Sequence, residues 1–330
     1  MRLFIMAAFV LASFLVMSAA GAQEVSPIER GRTYTTWFYE GKTSEIWQRM
    51  SPQVQQLFGD EAGLQAFRDQ VATMLGQEQA VVEEHVTRQL QIHTYTRVAT
   101  FANSPEPFEV QWAFDDAGMI VVFGVQAAQE EAPSDYLDYE TKTDLRLPFD
   151  GRWYVYWGGR SVYENYHAAD AGQRFAYDLI IARDGVSHSG DGTQNEQYNC
   201  FGQAVLAPGD GVVSEAVDGV ADNTPGEMNP EMLLGNHVII DHENGEFSFL
   251  AHLQQGSVQV EPGERVDAGD DIGRCGNSGN SSEPHLHYHM QSTATIGEGA
   301  GLPAQFQSYV ADGEPVERGE PRQNQYIEPS

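Results

Sequence analysis

The chain has 330 residues and carries 48 acidic side chains against 18 basic ones, a formal charge of −30. That balance excludes the basic footprint that nucleic-acid binding requires and disfavours docking on anionic lipid; its ordinary use is solubility. The length suits two domains at roughly 100–200 residues each.

Met1-Arg2 is followed by an apolar run from Leu3 to Met17 and by small residues ending Ala20-Gly21-Ala22. A basic start, an apolar stretch and a small-residue cleavage site read as a secretory signal peptide over residues 1–22. The run is shorter than the ~20 apolar residues a spanning helix needs, and no other segment approaches that length. The mature protein is therefore expected to be exported, periplasmic or extracellular, without a membrane span. Cys200 and Cys275 are the two cysteines. In an exported chain such a pair suits a disulfide; two buried thiols is the alternative, and spacing does not decide between them.

Residues 26–128 read as an α+β accessory domain, helices first and strands after. Tyr34, Trp37 and Phe38 form a helical stripe between Arg30 and Tyr39. Asp60 is placed to cap a second helix whose Leu64, Phe67, Val71, Met74 and Leu75 recur at helical spacing, and Gly76 ends it. Val81 to Phe101 is rich in β-formers and reads as a long strand holding His85 and His93, both expected to be surface or satisfied core residues. Phe108, Val110, Trp112 and Phe114 alternate as a half-buried strand, Asp115 to Gly118 turns, and Met119 to Val125 returns. The order and the closing strand pair resemble the nuclear-transport-factor-two-like cone.

Residues 129–138, acidic and broken by Pro133, read as a linker. From Tyr139 the texture changes to short β runs with Gly-rich turns, an all-β domain over residues 139–300. Trp153 to Trp157, Val205 to Val213 (strand, turn, strand) and Gly235 to Asp241 are its early strands. An Asn244-Gly245 hairpin turn then feeds Phe247 to Leu253. Residues 301–330, rich in Pro, Glu and Gln towards their end, are expected to form a poorly ordered tail.

The stretch with chemistry in it is Pro284-His285-Leu286-His287-Tyr288-His289. Strand alternation puts His285, His287 and His289 on one face and Leu286, Tyr288 and Met290 on the other. Two imidazoles spaced i and i+2 suit a metal centre in which one ligates and the other moves a proton, provided ligands elsewhere complete it. Histidines are also ordinary strand-surface residues.

Gly235-Asn236-His237-Val238-Ile239-Ile240-Asp241-His242, Leu250-Ala251-His252-Leu253, Gly276-Asn277-Ser278-Gly279 and Pro284-His285-Leu286-His287 follow one another in that order. Together they resemble the lysostaphin-type zinc metallopeptidases that cut peptidoglycan cross-links. The likeness runs from about Asn165 to Met290. It implies a β-rich groove holding Zn²⁺ on two His and one Asp, with two further His assisting catalysis. Carried onto this chain, His287 and Asp178 become zinc ligands, His285 the general base, and His252 the group that steadies the developing oxyanion. The family's remaining His ligand usually stands four residues before the Asp, and that position here is Arg174. His167, eleven residues before Asp178, is the expected replacement across an inserted loop, with His188 as the fallback.

Such an inventory agrees with known metal chemistry. Three protein ligands leave a fourth zinc position for water, as in catalytic sites. Zinc lowers that water's pKa to ~7 and polarises a carbonyl, and an imidazole near its working pKa moves the proton. His289 is expected to line the groove rather than ligate, and His237 and His242 to pack or hydrogen-bond at strand ends. Asn277, Ser278, Asn280 and Ser281 either face a bound peptide or are simply loop residues. Two other readings stand beside the enzyme: a non-catalytic relative that binds cell wall or activates another hydrolase, favoured by the displaced first ligand, and a carbohydrate-binding module needing no metal.

Overall fold

The computed structural model describes residues 25–330, so the signal-peptide reading of residues 1–22 lies outside it. The chain divides into two compact units, residues 25–129 and 130–330.

The first unit holds helices α1 (Pro27–Glu40), α2 (Thr43–Trp47), α3 (Pro52–Phe58) and α4 (Glu61–Leu75). Strands β1 (Glu78–Gln89), β2 (Ile92–Phe101), β3 (Phe108–Asp115) and β4 (Ile120–Ala127) follow. Local chemistry sets the helix ends. Ser26 caps α1 through a capping box with Glu29, and Asp60 caps α4 by accepting the Gly63 N–H at 2.9 Å. The strands form an antiparallel sheet in sequence order. Tyr34 and Phe38 of α1 and Leu64 and Val71 of α4 share one core with Tyr95, Trp112 and Phe123.

The single long strand expected from Val81 to Phe101 is a hairpin. It turns at Leu90-Gln91, and His85 and His93 lie on different strands. Leu90 takes a left-handed φ of 53° there, a conformation that Leu does not advertise. His93 bonds Asp116 at 2.8 Å.

The second unit is all β. Its strands are β5 (Trp153–Trp157), β6 (Tyr177–Ile180), β7 (Ala204–Leu206), β8 (Gly211–Val217), β9 (Asn236–Asp241), β10 (Phe247–Leu253), β11 (Arg265–Val266), β12 (Asp271–Arg274) and β13 (Leu286–Gln291). Then come β14 (Gly301–Leu302), β15 (Phe306–Ala311), β16 (Glu314–Gly319) and β17 (Tyr326–Pro329). The main sheet runs β11-β8-β9-β10-β13-β6-β5-β17-β15-β16, with β14 also on β13, while β7 and β12 form a separate pair. β13 is central. Leu286, Tyr288 and Met290 enter the main core with Leu250, Leu179 and Phe306, as the alternation requires.

Residues 301–330 are not a loose tail. They supply four strands, and Leu302, Phe306, Tyr309 and Ile327 are buried in the core. The sequence misleads because outer strands bury few side chains. β16, at the sheet edge, carries Pro315, Glu314 and Glu317, the residues that protect an edge and that also mark disorder. Residues 130–138 lack regular structure but are held to this unit, since Ala132 pairs with Ala168 and accepts the Arg174 Nε–H. Cys200 and Cys275 are buried free thiols, and the Cys200 S–H points at the Pro284 carbonyl at 3.0 Å. Among the described residues no helix is long and apolar enough to cross a membrane.

Candidate metal centre

The β6–β13 pairing sets His287 directly opposite Asp178, so their side chains leave the sheet together. His287 Nδ1 lies 2.9 Å from Asp178 Oδ1. His167 arrives from a 3₁₀ turn, residues 166–169, and puts its Nε2 3.7 Å from the same oxygen. All three residues are buried, and one donor atom from each lies within 4.8 Å of the others.

Neighbours fix the tautomers. Asn165 spends its Nδ2 on the carbonyls of Gly159 and Ala176, at 3.1 and 2.9 Å, so its Oδ1 faces His167. That oxygen accepts the Nδ1–H at 2.9 Å, which leaves the His167 Nε2 lone pair for the cluster. His285 sits just before β13; its Nδ1–H donates to the Glu283 carbonyl at 2.9 Å, and its Nε2 is 3.5 Å from Asp178 Oδ1. His252 donates its Nδ1–H to the Ser278 carbonyl at 2.9 Å and stands 4.8 Å from the His285 ring, centroid to centroid.

How His252 gets there is a matter of backbone. Ala251 pairs with His287, so strict alternation would send residue 252 to the opposite face. A bulge between Leu250 and Leu253, with His252 at a φ of 62°, turns the imidazole back. Bulges and left-handed non-glycine residues are devices for re-aiming a side chain beside a site.

The electrostatics call for a cation. Burial alone would raise the Asp178 pKa, but His167, His285 and His287 outweigh it and hold the carboxylate ionised, well below its ordinary range. Its ion-pair partners among the described residues are those three imidazoles. Burial pushes His167 down to about 3, and burial with its histidine neighbours pushes His252 well below the usual range. A buried carboxylate needs positive charge beside it, from protonated imidazoles or from a cation, and burial disfavours the first at His167. One carboxylate oxygen and two imidazole nitrogens facing a common point fit a metal ion.

The remaining assignments fare differently. Arg174 turns away from the cluster, donating to the carbonyls of Ala132 and Arg160. His188 packs against Tyr198 outside the cluster. His289 is a correction: rather than lining a groove it is 1% exposed, stacked on Phe249 at 4.4 Å and hydrogen-bonded to His287, because β13 is covered on both faces. Asn277, Ser278 and Ser281 are buried in loop hydrogen bonds, as when Ser278 Oγ bonds the Leu253 carbonyl, so the plain loop reading holds for them. His237 and His242 bond the carbonyls of Gly235 and Asp210 at strand ends.

Sequence reasoning missed three neighbours. Asn165 sets the His167 tautomer. The half-exposed Tyr166 lays its ring 3.9 Å from that of His167. Glu283 is buried, with one carboxyl oxygen unpartnered among the described residues and its pKa raised to about 7 by burial and by the Asp178 charge. Asn165 and Tyr166 flank His167 in the chain, and Glu283 stands two residues before His285; position beside a motif was the one available signal.

Fold and site together define a β-rich domain with a buried two-histidine, one-aspartate cluster and two further imidazoles beside it. Residues 193–297 match the model of Peptidase family M23, a span that includes His252, His285 and His287 and begins after His167 and Asp178. This bears out the resemblance to the lysostaphin-type peptidases. The cell division protein DipM of Caulobacter vibrioides is 30% identical over 129 residues, 37% of this chain and 19% of that protein. The peptidoglycan DD-endopeptidase ShyA of Vibrio cholerae is 35% identical over 90 residues, 27% of this chain and 18% of that protein. The chain thus spans less than a fifth of the length of either relative. The catalytic domain of the prophage-encoded M23 protein EnpA from Enterococcus faecalis aligns at 20% identity and a TM-score of 0.30, covering 48% of this chain and 94% of that one.

Proposed function

We propose that the chain is an exported zinc metalloendopeptidase that hydrolyses peptide bonds in peptidoglycan cross-links, with His167, Asp178 and His287 as metal ligands. The observation that carries this reading is Asp178: a buried, ionised carboxylate whose facing partners are three imidazoles, two of them, His285 and His287, within the span that matches a peptidase family. The name of ShyA as a peptidoglycan DD-endopeptidase supports the substrate class. Among metals, zinc suits a nitrogen-rich set of three ligands with a position left for water.

When bound, zinc supplies Lewis acidity and an acidified water. The chain's own residues move the protons. With its Nδ1–H held by the Glu283 carbonyl, His285 presents Nε2 as a base to take a proton from the attacking water and deliver it to the departing amine. His252 also presents Nε2, its Nδ1–H being committed to Ser278. In the neutral form favoured by burial it accepts; the proton with which it would donate to the oxyanion is the second one of the attacking water, the first having gone to His285. The oxyanion role expected of His252 therefore belongs to the stage after proton transfer.

The displaced first ligand favoured a non-catalytic wall-binding relative. His167 reaching Asp178 by way of the 3₁₀ turn weakens that reading. The amino-terminal unit, helices over a four-stranded sheet, suits an accessory domain.

The test is release of soluble muropeptides from purified sacculi by the full chain, with zinc and with zinc chelated. Chelator-sensitive release is expected, and the products identify the bond. Folded, zinc-loaded protein that binds sacculi and releases nothing would establish the binding relative instead.

A further inference from the structure

His289 is the third imidazole of β13 and takes no part in ligation or proton transfer as described above. It is fully buried, opposite Phe249 in the β10–β13 register and stacked on that ring at 16°. Its Nδ1 lies 2.8 Å from His287 Nε2, and its own Nε2 has no hydrogen-bond partner among the described residues.

Two neutral imidazoles at that separation share one hydrogen bond, so the pair has two arrangements. In the first, His287 holds its proton on Nδ1, 2.9 Å from Asp178 Oδ1. His289 then donates from Nδ1 to His287 Nε2, and the partnerless His289 Nε2 is a bare acceptor. In the second, His287 holds its proton on Nε2 and donates it to His289 Nδ1. The His287 Nδ1 lone pair now faces Asp178, which is tolerable only with a cation between them, and the His289 proton sits on Nε2. Both arrangements carry the same number of protons. Only the second lets His287 ligate.

We infer that His289 is a positioning residue: by accepting from His287 Nε2 it sets the tautomer and ring orientation that make His287 a metal ligand. This rests on the reading of His287 as a ligand. His289 itself touches neither substrate nor metal. The Phe249 ring holds it flat, so its Nδ1 stays aimed at His287. An acceptor at this place suffices; a hydrocarbon leaves the His287 N–H buried and unpaired.

Two readouts test it on the full chain. Imidazole nitrogen NMR of the wild type, before and after loading with zinc, is expected to show the His287 and His289 protons both on Nε2 in the loaded form. His289 nitrogen shifts that ignore loading would overturn the inference. Zinc affinity by chelator competition is the second. His289→Phe keeps the stack on Phe249 and is expected to lose about 10–100-fold in affinity. His289→Asn places an acceptor oxygen where Nδ1 was and is expected to restore it. Wild-type affinity in His289→Phe, with affinity lost in His287→Ala, overturns the inference and leaves the ligand reading intact. Affinity kept in both variants sinks the ligand reading and this inference with it.

Discussion

Asn165 aims His167. Its amide nitrogen is held by two carbonyls, its oxygen accepts the His167 Nδ1–H at 2.9 Å, and the free Nε2 is left 3.7 Å from Asp178 Oδ1. A 3₁₀ turn, rather than the strand that carries Asp178, thus delivers the proposed ligand, and one buried amide performs the alignment.

On the proposed assignment, His167 is not replaceable by the position the family pattern would favour. His167→Ala is expected to abolish stoichiometric metal after dialysis, measured by atomic emission. Adding Arg174→His should not restore it, because that side chain projects toward Ala132 and Arg160. Metal retained in the single variant, or regained in the double one, would contradict the assignment.

The left-handed backbone at His252 separates two effects in one residue. His252→Ala and His252→Gly both remove the imidazole and are expected to keep the metal while lowering kcat on sacculi about 10²–10³-fold. Their stabilities should differ. Glycine adopts a φ of 62° freely and alanine does not, so the Gly variant is expected to be more stable by about 1 kcal/mol. Equal denaturant midpoints for the two variants would show that the turn stores no strain.

Much of the site was legible because its residues stand in ordered motifs. His252 came from its motif alone, since period-two alternation places it on the wrong face and a bulge is invisible in the sequence. Asp178 and His287 are 109 residues apart, and only the strand pairing brings them into register. The burial of His289 was hidden for a related reason: alternation tells which face a side chain takes, not whether Phe249 and its neighbours cover that face. In the amino-terminal unit α1 and α4 were readable from stripe and cap, while the hairpin at Leu90 lacked any turn residue.

The four carboxy-terminal strands make a claim about folding. Deleting residues 301–330 strips β17 from β5, where Ile327 pairs with Trp153, and removes Leu302, Phe306 and Tyr309 from the core. Burial of each such side chain contributes about 1.5–3 kcal/mol, against a typical domain stability of about 5–15 kcal/mol. The truncated chain is expected to be insoluble or to lack a cooperative transition by circular dichroism. A soluble truncation that unfolds at the full-length midpoint would restore the loose-tail reading.

Glu283 ties stability to pH. Its folded carboxyl is raised from 4.5 to about 7, chiefly by burial and then by the Asp178 charge. Below about 4.5 the group is protonated in both folded and unfolded chains, and the stability attached to the neutral form is fully present. As pH rises towards 7 the unfolded chain ionises freely while the folded one must ionise a buried group, so that stability is lost, about 3 kcal/mol in all. Glu283→Gln stays neutral throughout and has no such loss. In metal-free protein, the stability of the wild type minus that of Glu283→Gln, taken from urea unfolding, is expected to fall steadily between pH 4.5 and 8. A difference that does not change with pH would mean that Glu283 finds a compensating partner when it ionises.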